Sequence, residues 1–249
     1  MASKNIIFKK ILFSIYVLAI SLWPPLFSTK RIERYCKKYI NNNKEIYFPR
    51  KFLAELYAFV GEKNKSSVTY FELGKDIGIN KSDFKKLYLS IVHILNNILI
   101  DENLKILGSI FTPLKGLEFY YDDLKNELML QFLYSISVLR ENEIYQKSID
   151  AVSNAMEFFG KEEKLIILKA EIFHDIGDYE SEINENKILV SLFPFKSKHR
   201  VFLAGLEYLY GDKNNAKNLL RQAVDISNDL HEKEKIQQKI SEWFETSGN

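Results

Sequence analysis

The feature that most restricts what this chain can fold into is an internal spacing: Gly177, Asp178 and Tyr179 return 34 residues later as Gly211, Asp212 and Lys213. A fixed period of that size belongs to stacked supersecondary units, because one such unit cannot bury its own apolar face. Moving the frame back by another 34 residues aligns Glu143, Ile144 and Tyr145, with Tyr145 at the position of Tyr179. Three units follow, 129–162, 163–196 and 197–230, and each reads as an apolar-periodic helix, a short polar turn and a second such helix. Gly177 and Gly211 fall where the chain reverses between helices, a place that favours a residue able to adopt positive φ. Residues 231–245 put Ile236, Ile240, Trp243 and Phe244 on one stripe, the pattern of a terminal helix that covers the open end of a stack.

This frame resembles the tetratricopeptide repeat (TPR), a two-helix unit of the same length, over residues 127–249, about half of the chain. The resemblance implies an all-α fold in which helix pairs stack into a right-handed superhelix, an α-solenoid. It also implies small residues where helices approach one another. The eighth position of the three units holds Ile136, Ala170 and Ala204, the twentieth Ser148, Glu182 and Ala216, and the twenty-seventh Ala155, Leu189 and Ala223. The eleventh, large and apolar in the family, holds Leu139, Phe173 and then Glu207. Pro194 stands at the thirty-second position of the middle unit, where proline ends a second helix. Glu182 and Asn186 depart from the pattern, so their helix is expected to pack loosely or to face a partner.

The groove of such an array is lined from its first helices. By resemblance these positions are Leu133, Ser137 and Arg140, then Ile167, Glu171 and His174, then Val201, Gly205 and Tyr208, with Lys164 and Lys198 at the rim. Some TPR proteins clamp a terminal carboxylate with Lys, Asn and Arg at these places. Leu133 and Ser137 occupy them here, which argues against a chaperone-tail ligand.

Composition agrees with helices. Of 249 residues 46% are hydrophobic and 27% charged, which excludes general disorder, and ten Gly with five Pro are too few for a many-turned sandwich or barrel. Residues 11–27, ILFSIYVLAISLWPPLF, carry no charge and lie between Lys9 and Lys10 on one side and Lys30 and Arg31 on the other. That reads as an N-terminal transmembrane helix at the short end of the spanning range, with the lipid bilayer as a partner. A cleaved signal peptide is the other reading, although Leu26 stands where a cleavage site needs a small residue. The expected organisation is 1–28 membrane anchor or signal segment, 29–126 helical domain, and 127–249 three repeats with a capping helix. An anchor implies a single-pass inner-membrane protein. Basic residues on both flanks leave the side of the body open, periplasmic being the first reading and cytoplasmic the second. A Lys-, Ile- and Asn-rich chain with these parts is similar to the TPR collar proteins of periplasmic flagellar motors.

The charge is uneven: residues 127–249 hold 15 basic and 21 acidic side chains, a net −6. A nucleic-acid binder needs a dense basic face, and the basic cluster of this chain, at 28–38, adjoins the apolar segment instead. In the middle region Pro49 marks one helix start, Asn80 or Ser82 another that runs to about Ile100, and Pro113 a third. Between 71 and 89, Leu73, Gly74, Ile77, Gly78, Ile79, Phe84 and Leu87 have the spacing of a helix-turn-helix, which makes a DNA-binding regulator the alternative function. Its second helix starts with Asn80, Lys81, Asp83, Lys85 and Lys86, a weak reading face, so a packing role is expected. His93, His174, His199 and His231 are scattered without an HExxH, Cys36 is alone, and no GxGxxG, P-loop or GxSxG is present. The expectation is a non-enzymatic scaffold, tethered to a membrane and binding proteins through its groove, with no catalytic residue, cofactor, metal or nucleic acid.

Overall fold

The computed structural model describes residues 29–115 and 122–244. Every regular element among these residues is a helix, with no strand among them. They fall into two compact units, within Met1–Gln131 and within Phe132–Asn249, and each has its own core.

In the first unit, α1 (Thr29–Asn42) buries Ile32 and Cys36, four residues apart on one face. They pack with Leu53, Leu56 and Tyr57 of α2 (Tyr47–Phe59). Burial pushes the Cys36 thiol up to about 12, so it serves as a small apolar residue in this core. Pro49 lies in the first turn of α2, where its missing N–H is no loss. The other side of α2 presents Ala54 to Tyr70 and Leu73 of α3 (Lys63–Asp76). α4 (Phe84–Asn96) follows after a 3-10 turn at Lys81–Asp83, so the predicted run to Ile100 ends four residues earlier. α5 (Asp101–Ile106) and further 3-10 turns lead to Thr112–Leu114, a single 3-10 turn where Pro113 had suggested a helix start.

The helix-turn-helix spacing is used for packing. Phe71, Leu73 and Leu87 are fully buried, and a Cβ on Gly74 would come within 2.9 Å of Pro113 Cβ and 3.3 Å of Leu87 Cδ1. Of the basic residues at the start of α4, Lys86 is paired with Glu55 at 2.8 Å, and buried Asp83 is held by Lys51 at 2.9 Å and by the Tyr47 hydroxyl at 2.8 Å.

The second unit is a run of helices: residues 132–141 of α6 (Asp122–Glu141), then α7 (Tyr145–Phe159), α8 (Glu163–Ile176), α9 (Tyr179–Leu192), α10 (Ser197–Tyr210), α11 (Lys213–Ile226) and α12 (Leu230–Phe244). α7, α9 and α11 begin at Tyr145, Tyr179 and Lys213, and α8 and α10 at Glu163 and Ser197, so the 34-residue interval is an interval of helix starts. From α7 onward each helix packs on the next. Ala155, Ala170, Ala204, Ala216 and Ala223 are all buried, which lets neighbouring backbones approach closely. Asp178 and Asp212 cap α9 and α11, their Oδ1 atoms accepting from Ser181 N at 3.1 Å and Asn214 N at 2.8 Å.

The two aligned glycines act differently. Gly177 adopts φ 76° and ends α8 in a left-handed cap, whereas Gly211 has φ −133°. What glycine supplies at 211 is space, because a Cβ there would strike the Glu207 carboxylate. That carboxylate is buried and accepts from Asp212 N at 2.9 Å and Asn215 Nδ2 at 3.0 Å, with Lys187 Nζ 3.2 Å away. Burial alone would raise its pKa; these partners outweigh burial and hold it below the ordinary carboxylate range. The apolar eleventh position of the repeat has become an anchor for the next turn.

The single-pass inner-membrane location, with a periplasmic body and the bilayer as partner, is corrected. Among the described residues no helix is long and apolar enough to cross a membrane. The longest, α6, has 20 residues, but its uncharged stretch runs only from Leu128 to Leu139, well short of the roughly 20 apolar residues a span needs. Residues 11–27, on which the anchor reading rested, lie outside the described residues.

Candidate protein-binding cleft

A cleft of about 410 Å³ opens in the second unit among α6, α8, α9 and α10. Ile167, Ala170, Leu189 and Phe202 supply its apolar walls, with Phe202 55% exposed. Arg140, Glu171, His174 and Lys198 add polar groups, and Glu182, Asn186 and His199, all nearly fully buried, complete the lining. α8 contributes Ile167, Ala170, Glu171 and His174, the i, i+3, i+4 and i+7 positions of one helix face.

The charges form two networks. Arg140 pairs with Glu171 and with Asp175, where its Nη2 lies 3.1 Å from Asp175 Oδ1, and the guanidinium holds the Asp175 carboxyl below its ordinary range. Glu163, at the start of α8, takes Lys196 and, at 2.9 Å, Lys198. Hydrogen bonds from Lys196 and then Lys198 hold its carboxyl at about 2. His199 Nε2 lies 3.0 Å from Glu163 Oε1 but is not aligned for a hydrogen bond and has no hydrogen-bond partner. Burial pushes this imidazole below its usual range, against the opposing pull of Glu163. Also in the lining, Glu182 Oε2 meets Nδ1 of the half-exposed His174 at 3.0 Å, and Asn186 Nδ2 donates to the Glu182 carbonyl at 2.9 Å.

Of the groove residues expected from sequence, Arg140, Ile167, Glu171, His174 and Lys198 line this cleft. Leu133, Ser137 and Lys164 do not; Ser137 Oγ instead donates to the Leu133 carbonyl at 3.1 Å. Gly205 and Tyr208 face the terminal helix, and Val201 turns to the adjoining core. Val201 and Tyr208 pack on the core that Ile236 of α12 joins, Tyr208 stacks on Trp243 with centroids 4.7 Å apart, and Trp243 lies 3.9 Å from where a Gly205 Cβ would be. Sequence reasoning left Ala170, Glu182, Asn186, Leu189, His199 and Phe202 out of the groove. Glu182 and Asn186 carried a signal, as polar residues where the repeat pattern needs small or apolar ones, and so did His199 as an isolated histidine. Phe202 carried none. Among the described residues no group of three or more His, Cys, Asp or Glu could hold a metal ion.

The helix starts at a 34-residue interval and the cleft across successive helix pairs define the second unit as an α-helical repeat. One solved structure similar to the chain is titled "Crystal structure of YrrB: a TPR protein with an unusual peptide-binding site"; it is 16% identical, with 82% of this chain and 97% of that chain covered and a TM-score of 0.38. No protein-family model and no curated protein matches the chain, and none of the comparisons supports a likeness to flagellar motor collars.

Proposed function

We propose that the second unit is a non-catalytic protein-binding module, which receives a segment of a partner protein in the cleft between α6, α8, α9 and α10. The observation that carries this is the cleft itself: about 410 Å³, with apolar walls contributed by three helices and a few buried polar groups among them. A space of that kind suits one or two side chains of an extended or helical segment, apolar contact supplying affinity and the polar groups selectivity. The repeat architecture supports the same reading, since stacked helix pairs present long continuous surfaces for protein partners.

The test is selection of a random peptide display library on the purified protein. The selected peptides are expected to lose about tenfold or more in affinity for Phe202→Asp and for Ile167→Asp, because either change places a charge against an apolar contact. Circular dichroism and the unfolding midpoint check that these variants remain folded. Selected peptides that bind both folded variants as well as the parent would move the binding site away from this cleft.

A further inference from the structure

Resting on the reading of the cleft as a protein-binding site, we infer that its occupant is a basic side chain, lysine or arginine, in an extended segment of the partner, with its cation placed against Glu182. Glu182 is 1% exposed and still lines the cleft. A carboxylate this far from water needs compensation, and the structure provides it with one protein partner, His174 Nδ1 at 3.0 Å, on a side chain that is itself 54% exposed. One histidine engages one oxygen. Asn186, 2% exposed, lies beside it and donates its Nδ2 to the Glu182 backbone carbonyl, which leaves its amide oxygen as an acceptor in the same cleft. The chemistry these two residues offer to a ligand is therefore an anionic acceptor and a neutral acceptor, matched by an ammonium or guanidinium donor.

The walls fit the rest of such a side chain. Ile167, Ala170, Leu189 and Phe202 would cover an aliphatic stem, in the way lysine and arginine lay their methylenes on apolar surface while their charge reaches a polar group. The cations already in the lining are engaged by other acids, Arg140 by Glu171 and Asp175 and Lys198 by Glu163, so they are not the counter-charge of Glu182. Residues 127–249 carry a net −6, which draws a basic segment toward this unit and disfavours an acidic one.

Fluorescence anisotropy with defined probes tests the assignment. Four peptide pools share random flanks enriched in Leu and Phe and differ at one fixed position: arginine, citrulline, leucine or glutamate. A second pair compares lysine with acetyl-lysine. Arginine and lysine pools are expected to bind about tenfold or more tightly than their uncharged counterparts, and Glu182→Gln is expected to remove that preference. The ligand-side comparison needs no altered protein, so the inference stands or falls even if Glu182→Gln does not fold. Equal binding of the arginine, citrulline and leucine pools would overturn the cationic occupant and leave the protein-binding reading intact. Failure of every pool to bind the folded parent protein would sink both. Free spermidine binding as tightly as the arginine pool would assign the cleft to a small amine and overturn the peptide occupant.

Discussion

At residue 143 the backbone adopts φ 61° with glutamate in place, 34 residues before Gly177 takes φ 76°. A side chain in the left-handed region carries a penalty that glycine escapes, on the order of 1–2 kcal/mol. Glu143→Gly is therefore expected to stabilise the protein by about 1 kcal/mol, partly offset by the greater freedom of glycine in the unfolded chain, and Gly177→Ala to destabilise it by a similar amount. Opposite shifts of the denaturant midpoint check the pair. His199 and Glu163 both contribute to the acid response. Because burial keeps the His199 imidazole below its ordinary 6.5, the unfolded chain takes up that proton first, and stability falls as pH drops through about 6.5. Glu163 is held at about 2 against an ordinary 4.5, so its contribution is complete above 4.5 and disappears as pH falls from there toward 2. Stability measured by chemical denaturation across pH is expected to show both declines. Glu163→Gln should flatten the lower one, and an unchanged slope would remove Lys196 and Lys198 from the explanation.

Among elements, the close approaches depend on small residues. Ala170 of α8 is 4% exposed and Ala204 of α10 is fully buried, so replacing either with leucine should overpack its helix contacts and cost roughly 1–3 kcal/mol. Midpoints unchanged in both variants would mean that the helices have room there. The last helix behaves as a lid over apolar surface. Trp243 and Phe244 of α12 meet Tyr208 in a stacked and an edge-on contact, and the Tyr208 hydroxyl lies 3.5 Å from the Trp243 carbonyl. Tyr208→Ala is thus expected to lower stability by roughly 2–3 kcal/mol through lost burial and ring packing. Its effect on cleft ligands should be small, because Tyr208 is not part of the lining. A folded variant with an unchanged midpoint and weakened peptide binding would reverse that assignment.

Across the whole molecule the formal charge is +2, so the acidic excess is local to residues 127–249. The net −6 of residues 127–249 acts over distances that salt shortens, the screening length falling to about 8 Å at 0.15 M. Association of a basic peptide is accordingly expected to slow by about tenfold between low and high salt, with dissociation changed little. Stopped-flow rates at several ionic strengths check this, and equal association rates would show that the acidic surface does not steer the ligand.

The helical class was legible in the sequence alone, because apolar periodicity and scarce glycine and proline are local properties that every window of the chain carries. The 34-residue interval was legible for the same reason: turns and close contacts demand particular residues at particular places, as Asp178 and Asp212 do at their caps. The reason for glycine at 211 was not, since it depends on a carboxylate that only the folded helix pair brings to the turn. Nor could the sequence place Tyr208. A residue on the groove side of a first helix is exposed in the middle of a stack and covered at its end, and which applies depends on where α12 docks. The cleft belongs to the same category: α8 supplies a face that the period predicts, but Glu182, Asn186, His199 and Phe202 reach it from α9 and α10 because of how the helix pairs pack. Periodicity determines which side of a helix is apolar, and tertiary packing decides which apolar surface is left open.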